Sequence, residues 1–210
     1  MSMHTYAYPN VTISGLPGCG STTLLNLLRE HLKFDGWKGF NGGEFMRAYA
    51  EERGLFKEAG NLHHSAAHYE DDFDRQVDLG MREKLQTEQQ WILEAWLSGF
   101  MAQGVKGTYK VLMVCSDDAV RIDRIVNRDG VTADNAKHNM QKRYDDNVAK
   151  WSRLYKDQWQ EWVVDAGKVK ASDPIDFWRP DLYDKVIDTY STNKQQALEI
   201  VLDVITNKNS

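Results

Sequence analysis

The chain has 210 residues and a formal net charge of −5, and 41% of its residues are hydrophobic and 27% charged. A chain of this length suits one α/β domain and can bury roughly 70% of its unfolded surface, so we expect folding without a disulfide or a metal. The negative charge argues against a general nucleic-acid binder, and no apolar run approaches the ~20 residues of a membrane helix, so we expect a cytoplasmic protein that binds neither nucleic acid nor membrane.

The first predicted elements are a strand, a glycine-rich turn and a helix. Residues 11–14 form a short β-branched run, and an apolar helical pattern begins at Leu24. Between them, the stretch GLPGCGSTT at residues 15–23 has the spacing of G-x-x-x-x-G-K-[ST], except that Ser21 replaces the lysine. A strand, a glycine turn and a helix N-terminus direct several backbone N–H groups at one point, which predicts a phosphate-binding loop. The alternative is a glycine-rich turn that binds no ligand.

Most of such a loop is main chain, so the missing lysine bears on mechanism more than on binding. The hydroxyl of Thr22 would bind the Mg²⁺ that accompanies the nucleotide. Cys19, inside the loop, is expected to be a small filler residue. The predicted nucleotide-binding residues are Gly15, Gly18, Gly20, Ser21, Thr22 and Thr23.

The next predicted strand covers residues 37–41 and is followed by a helix from residue 44 to about residue 53. Arg47 stands on the first turn of that helix, where it would hold the phosphate of a second substrate, although a solvated arginine is the alternative. Glu94 ends a third strand over residues 91–94. Its carboxylate would bind Mg²⁺ directly or through water, and the alternative is an ordinary surface carboxylate.

A charged helix is predicted over residues 72–89. The stretch before it contains His63, His64 and His68, but no cysteine or HExxH pattern accompanies them. We therefore predict no metal site there.

The fourth predicted strand, residues 110–115, leads into a helix with three arginines, Arg121, Arg124 and Arg128. Spacings of three and four place these side chains on one helix face. We expect the opposite face to pack on the domain; it carries Ala119, Ile122 and Val126. The alternative for the arginines is a solvated face that pairs with neighbouring aspartates.

A long helix over residues 132–162 carries a second cationic stripe, Arg143 and Lys150. Guanidinium groups stay charged and bind phosphate oxygens in pairs, so such stripes suit phosphoryl transfer, where charge spreads over the transferred group. Four side chains of this helix fall at helical spacing and are predicted to be packing residues rather than a stacking surface: Trp151, Leu154, Tyr155 and Trp162.

A last strand over residues 185–188 and an amphipathic helix over residues 194–205 complete an alternation of strands and helices. This alternation predicts a parallel sheet that is covered on both faces. Ligands bind such sheets at the carboxyl ends of the strands. The glycine loop, Glu94 and the start of the arginine helix should therefore meet at one edge.

Six stretches of the sequence form an ordered set of motifs: VTISGLPGCGSTT at 11–23, GGEFMR at 42–47, DDFDRQVD at 71–78, ILEAWLSGF at 92–100, RIDRIVNRDG at 121–130 and LYDKVIDT at 182–189. In order and in content they resemble the archaeal cytidylate kinases, which are P-loop nucleoside monophosphate kinases. The resemblance covers most of the chain, and in that family a hydroxyl residue commonly replaces the loop lysine.

The resemblance implies an α/β P-loop NTPase fold with a five-stranded parallel sheet, helices on both faces, and lid and monophosphate-binding inserts. Residues 1–210 would form a single kinase domain, with a monophosphate-binding segment at about 42–89 and a lid at about 117–155. It implies transfer of the γ-phosphate of ATP to CMP or dCMP with Mg²⁺, so that the partners are small-molecule nucleotides. We expect a monomer.

The implied roles divide the polar residues into three groups. Arg47 would hold the acceptor phosphate, and Thr22 and Glu94 would organise the metal. Contacts to the polar edge of cytosine would come from Asp74, Arg75 and Asp78. The catalytic cations that close over the transferred group would be Arg124, Arg128, Arg143 and Lys150.

Three departures from the family pattern keep other functions open. Trp96 stands where the family has an arginine, Lys150 and Trp151 stand where Arg-Tyr is expected, and residues 156–174 resemble an insertion. One alternative is a catalytically weak nucleotide-binding regulatory module. Another is a kinase that acts on AMP, UMP or an acceptor that is not a nucleotide.

Overall fold

The computed structural model describes residues 6–52 and 69–206, and in it five parallel strands form one sheet in the order β2-β3-β1-β4-β5. The strands are β1 (Asn10–Gly15), β2 (Lys38–Asn41), β3 (Trp91–Glu94), β4 (Thr108–Val114) and β5 (Lys185–Asp188). The predicted five-stranded parallel sheet with helices on both faces is confirmed.

Helices connect the strands, as parallel pairing requires. They are α1 (Ser21–Leu32), α2 (Gly42–Glu52), α3 (Asp71–Thr87), α4 (Ser98–Met101), α5 (Asp118–Asp129), α6 (Ala133–Leu154), α7 (Lys156–Trp159) and α8 (Lys194–Ile205). A π-helical turn at Gln160–Val164 follows α7, and 3₁₀ turns occupy Lys33–Asp35 and Pro180–Leu182. No helix in the described part of the chain is long and apolar enough to cross a bilayer.

The central strand β1 is buried along its whole length, as expected for a strand with neighbours on both edges and helices on both faces. Its register pairs Ile13 with Glu94 of β3 and Gly15 with Met113 of β4. The carboxyl ends of these strands therefore lie at one edge. The glycine loop and Glu94 meet at this edge as predicted, and the arginine helix reaches the same cleft through Arg124 and Arg128 rather than through its first residues.

Two apolar cores cover the two faces of the sheet. In the first core, α1 and α8 pack on one face of β1 and β4, with Leu24, Leu28 and Val201 fully buried. The second core is rich in aromatic side chains and includes Phe100, Leu112, Trp151, Tyr155, Trp159, Val163, Phe177, Leu182 and Tyr183. Trp151 and Tyr155 are thus packing residues, as predicted, and residues of α7 and of the π-helical turn contribute directly to this core.

Two predicted helices differ from the observed ones. The helix expected over residues 132–162 ends at Leu154, because Tyr155 leaves the helical conformation at φ −111° and ψ 23°. The helix expected from residue 44 begins at Gly42 instead, where the side chain of Asn41 accepts a hydrogen bond from the backbone N–H of Glu44 at 2.9 Å. Arg47 therefore lies on the second helical turn rather than the first.

Gly80 lies inside α3, and nothing is within 4 Å of the position that a Cβ atom would occupy there. We expect Gly80→Ala to raise the free energy of unfolding by about 1 kcal/mol, because alanine has a much higher helix propensity and meets no obstacle. Thermal and urea unfolding measure the effect. As a contrast, Gly104 also has open space but a φ of +74°, so Gly104→Ala should destabilise. Equal responses of the two variants would contradict this account.

Candidate active site

The glycine loop joins β1 to α1 and leaves the N-terminus of that helix open. Gly20 caps α1 with φ 83° and, having no side chain, supplies no capping hydrogen bond. The first-turn N–H groups of Ser21, Thr22 and Thr23 have no acceptor within the helix, and these residues line a cleft. Open N–H groups at a helix N-terminus suit a phosphate group, so the loop fits the nucleotide that its sequence predicts.

Gly18 is the point of the loop on which α5 packs directly. Its φ is +83°, and a Cβ atom there would lie 2.7 Å from Cγ and 2.8 Å from the carbonyl oxygen of Arg121. No side chain fits this position without displacing backbone. The glycine therefore fixes how closely the arginine helix approaches the loop.

The cleft above the loop has a volume of about 670 Å³, which is large enough for a nucleotide. It extends from the loop to the ends of β3 and β5 and to the start of α8. Its polar and charged walls include Ser21, Thr22, Thr23, Asn41, Arg47, Glu94, Arg124, Arg128, Arg143, Thr189, Thr192, Asn193 and Lys194.

Ser21, which replaces the usual lysine, donates a hydrogen bond to Glu94 Oε1 at 2.8 Å. Glu94 is only 6% exposed, and this burial raises the pKa of its carboxyl, while the hydrogen bond from Ser21 opposes the rise. Thr22 is exposed and lines the same cleft. The hydroxyl of Thr22 also hydrogen-bonds to the carboxyl of Glu94. A carboxylate beside a hydroxyl offers the hard oxygen ligands that Mg²⁺ prefers, so the pair predicted to bind metal fits the ion.

Arg124 and Arg128 both line the cleft but differ in their partners. Arg124 donates to the carbonyl oxygen of Gly18 at 3.1 Å and to both the hydroxyl and the carbonyl of Thr189, at 2.7 and 2.9 Å. Arg128 is exposed and pairs with Asp129 at 2.7 Å. Arg124 thus ties the loop to the end of β5, whereas Arg128 extends from the last turn of α5.

Arg143 is the most enclosed of the cleft arginines. Burial, followed by the positive charges of Arg128 and Arg47, lowers the pKa of Arg143 to about 10, so it remains charged at neutral pH. Its Nε is buried and has no hydrogen-bond partner among the described residues. The guanidinium lies 4.8 Å from the ring centre of Trp96. Several positive charges that face one space and include an unused donor indicate an anionic ligand.

A second, smaller cavity of about 100 Å³ adjoins the cleft. The two share five lining residues: Gly43, Arg47, Ala95, Trp96 and Arg143. The remaining walls of the small cavity come mainly from α2, α3 and α6: Gly42, Met46, Tyr69, Val77, Asp78, Met81, Leu97, Asn147 and Trp151. The two spaces therefore meet at a boundary that carries two arginines.

Lys150 does not line either cavity, contrary to its prediction as a catalytic cation next to Arg143. It is 7% exposed, forms an ion pair with Asp74 at 2.8 Å and donates to the carbonyl oxygen of Tyr69 at 2.7 Å. A buried ammonium needs such partners, and they hold it in the contact between α6 and α3.

Of the three predicted base contacts, only Asp78 lines the small cavity. Asp74 is 4% exposed and is occupied by Lys150. Arg75 donates to the carbonyl oxygen of Leu154 at 2.8 Å, which directs it to the end of α6. Residues 74, 75 and 78 lie on one side of α3, so their partners explain the difference: Lys150 holds Asp74, and the carbonyl oxygen of Leu154 holds Arg75.

The face of α5 that packs on the domain differs from the predicted one. Ile125 is the buried residue of this helix at 4% exposure, whereas Ala119 is exposed and Ile122 and Val126 line an open groove. The arginine side of the helix contacts the loop, because the stems of long cationic side chains pack well while their charged ends form hydrogen bonds.

Trp96 lies at the centre of an aromatic cluster beside the shared boundary. Its ring centre is 5.6 Å from that of Trp151 and 5.8 Å from that of Trp178, in edge-to-face geometry. The indole N–H of Trp178 donates to the backbone carbonyl of Trp96 at 2.9 Å. The tryptophan that stands in place of an arginine is thus fixed on several sides, and it presents its face to Arg143.

Sequence reasoning missed five polar residues of the cleft: Asn41, Thr189, Thr192, Asn193 and Lys194. Asn41 ends β2, Thr189 directly follows β5, and Asn193 caps α8 with hydrogen bonds from the N–H groups of residues 195 and 196. The rule that ligands bind at the carboxyl ends of parallel strands could have identified them. The histidines at 63, 64 and 68 lie outside the described residues, and within the described part no three His, Cys, Asp or Glu side chains form a metal cluster.

The sequence matches one protein family and is similar to several proteins that carry the same name. The pattern of a family described as an AAA domain matches residues 11–145. A protein named cytidylate kinase from Methanopyrus kandleri is 30% identical, with 91% of this chain and 90% of that protein covered. Proteins of the same name from Haloarcula marismortui and Methanosarcina acetivorans are 28% and 29% identical, covering 93% and 91% of this chain and 88% and 93% of their own lengths.

Similar solved structures include an uncharacterized protein from Eubacterium ventriosum, with a TM-score of 0.57, 15% identity, and 92% of this chain and 95% of that one covered. A shikimate kinase from Acinetobacter baumannii in complex with shikimate has a TM-score of 0.50 and 14% identity, with 97% and 96% covered. At such identities the likeness concerns the fold.

Proposed function

Because this chain belongs to the archaeal cytidylate kinase family of P-loop kinases, we propose that it transfers the γ-phosphate of ATP to CMP or dCMP. The observation that carries the proposal is the pair of cavities that meet at Arg47 and Arg143. A phosphoryl transfer between two nucleotides needs a donor site and an acceptor site whose phosphate ends face each other. The large cleft is the donor site and the small cavity is the acceptor site.

In the donor site, backbone N–H groups at the start of α1 bind the phosphates of ATP. Because these donors are main chain, the absence of a lysine at position 21 leaves the phosphate cradle intact. Thr22 and Glu94 would hold the magnesium ion, which would neutralise charge on the phosphates. Ser21 orients the carboxylate of Glu94 through their 2.8 Å hydrogen bond.

The arginines organise the transfer itself. Arg47 holds the acceptor phosphate, and Arg143, at the boundary, contacts charge on both sides of the transferred group. Arg128 closes over that group from α5. The acceptor oxygen is already a good nucleophile, so no separate base is needed, and enclosure by the helices limits attack by water.

We propose that two segments of the chain move during the reaction. We place the monophosphate-binding segment at about residues 42–89, since α2 and α3 line the acceptor cavity, and the lid at about residues 117–155, which carries the cleft arginines of α5 and α6. Residues 156–174 stabilise this arrangement through the aromatic core that contains Trp159 and Val163.

The small acceptor cavity favours a one-ring base over a two-ring base. Its apolar walls, Met46 and Met81 among them, suit the faces of a pyrimidine, and Asp78 offers a polar contact to its edge. A buried polar group left without its partner is costly, so a base with the wrong edge is rejected.

The test is a coupled assay at pH 8 with Mg-ATP and matched concentrations of CMP, dCMP, UMP, AMP and GMP. We expect kcat/KM for CMP and dCMP to exceed that for each other acceptor by about tenfold or more, the effect of one hydrogen bond and the fit of one ring. A preference for AMP would assign the protein to another branch of these kinases. ATP binding without transfer to any acceptor would favour the regulatory module.

A further inference from the structure

Asp78 occupies an unusual position for a carboxyl group at a substrate cavity. It lies on α3 and keeps part of its surface accessible, although apolar residues, Val77 and Met81 among them, form the wall around it. It does not line the donor cleft. Asp78 therefore belongs to the part of the acceptor cavity wall that the donor cleft does not share, away from the boundary with its two arginines.

This position decides which part of a pyrimidine Asp78 meets. A monophosphate bound with its phosphate at the arginine boundary directs its base away from that boundary. Ring position 4 lies opposite the ring nitrogen that carries the sugar, so it penetrates deepest. Cytosine has an amino group at this position, which donates hydrogen bonds, and uracil has a carbonyl oxygen, which accepts them.

One of the two oxygens of Asp78 is already occupied. The hydroxyl of Tyr155 donates to Oδ2 at 2.5 Å, so Oδ1 remains for a ligand. Tyr155 is fully buried and cannot turn to solvent. When Asp78 is ionised, Oδ1 accepts a hydrogen bond, and when it is neutral, the proton resides on Oδ1 because Oδ2 already has a hydrogen-bond donor.

We infer that Asp78 sets pyrimidine choice through its protonation: the carboxylate accepts a hydrogen bond from the amino group of cytosine, and the neutral acid donates one to the carbonyl oxygen of uracil. The inference rests on the proposed function and adds a class of acceptor, uridine monophosphate, that is used as the pH falls. The ratio of kcat/KM for CMP to that for UMP therefore rises with pH.

The surroundings of Asp78 place this change near neutral pH. Burial raises the pKa of Asp78 to about 7, the hydrogen bond from Tyr155 opposes the rise, the negative charge of Asp74 adds to it and the positive charge of Lys150 reduces it. Below this pKa the acid is neutral and donates; above it the carboxylate accepts.

The other charged or titratable groups near the cavity are the boundary arginines Arg47 and Arg143, the phenol of Tyr69, and Arg75. The guanidinium of Arg75 lies 5.9 Å from the ring centre of Tyr155. The arginines and the substrate phosphate are common to CMP and UMP. Their titration therefore cancels in the ratio of the two acceptors.

The experiment measures kcat/KM for CMP and UMP with Mg-ATP from pH 5.5 to 8.5, in the wild type and three variants. In the wild type we expect the CMP-to-UMP ratio to rise about tenfold or more through pH 7, the effect of one hydrogen bond gained or lost. In Asp78→Asn the amide oxygen takes the hydrogen bond from Tyr155 and the amide N–H₂ faces the base. Its ratio should be independent of pH and shifted towards UMP.

Tyr155→Phe removes the hydrogen bond that favours the ionised form of Asp78, so the midpoint of the ratio should move to higher pH. Asp72→Asn is the matched control, because Asp72 is exposed on the same helix, and its profile should equal that of the wild type. If Asp78 or Tyr155 only stabilised the fold, its replacement would change kcat/KM for CMP and UMP by the same factor. The pH midpoint of their ratio would then stay in place.

The possible failures are distinguishable. Transfer to CMP with a ratio that does not change with pH, or a pH dependence that survives in Asp78→Asn, overturns this inference and leaves the kinase proposal intact. If no monophosphate is phosphorylated, calorimetric binding of CMP and UMP at pH 6 and pH 8 decides. Binding with no change in relative affinity overturns the inference, and so does the absence of binding. If Asp78→Asn does not fold, the wild-type ratio and the Tyr155→Phe midpoint suffice.

Discussion

Replacing Arg143 by methionine is expected to lower kcat by about 10²–10³-fold, the loss typical of one removed transition-state contact. The methionine keeps the apolar stem but removes the guanidinium from the boundary between the large cleft and the small cavity. Because charge develops there only during transfer, the KM for the acceptor should change much less than kcat. Initial rates with CMP and Mg-ATP measure both quantities.

Two further variants control this prediction. Lys142 precedes Arg143 on α6 but is exposed and pairs with Asp146, so Lys142→Met should keep nearly full turnover. Arg143→Lys keeps a positive charge but not the planar group that faces Trp96, and it should fall between the wild type and Arg143→Met. Full turnover in Arg143→Met would remove this residue from the catalytic machinery.

Replacement of Gly18 by alanine is expected to have the second large effect, on both stability and ATP binding. The new Cβ atom would lie within 2.8 Å of the carbonyl oxygen of Arg121, and the φ of +83° adds strain for any residue with a side chain. The loop must move away from α5, which displaces the phosphate cradle. We expect a loss of about 2 kcal/mol or more in the free energy of unfolding and at least about tenfold weaker ATP binding.

Calorimetry with ATP and thermal unfolding measure these losses. Gly104→Ala separates strain from collision, because Gly104 shares the positive φ but has open space around it, so that variant should be destabilised without losing ATP affinity. Ser21→Ala should also bind ATP much better than Gly18→Ala, because the cradle consists of backbone donors. Equal ATP affinity in Gly18→Ala and Ser21→Ala would contradict this role of the loop.

The fold and many of the residues that line the large cleft were predictable because they depend on local patterns. The β-branched run before Gly15 and the alternation of strands and helices define a parallel sheet, and parallel sheets place their ligands at one edge. Arg47, Arg124, Arg128 and Arg143 line the cleft as a cationic group that sequence spacing had already identified. Their catalytic roles stay predictions.

What sequence could not supply was the pairing between distant helices. Lys150 had the right spacing from Arg143 for a catalytic stripe. The position of its ammonium group, however, is set by an ion pair with Asp74, which is distant in the chain and opposite Lys150 in space. Spacing along one helix says nothing about which neighbour meets each face. The same limit explains the direction of Arg75, whose partner is the carbonyl of Leu154 at the end of α6.

The two cores also have a consequence for synthesis. Both contain residues from the first half of the chain and residues near its end: Leu24 and Leu28 of α1 pack with Val201 of α8, and Phe100 packs with Phe177. A growing chain on the ribosome therefore lacks the cover that α8 gives to α1 until almost all of the chain has been made. Until α8 has been made, this part of the apolar surface of α1 stays exposed to water, where chaperones and other unfolded chains can bind it.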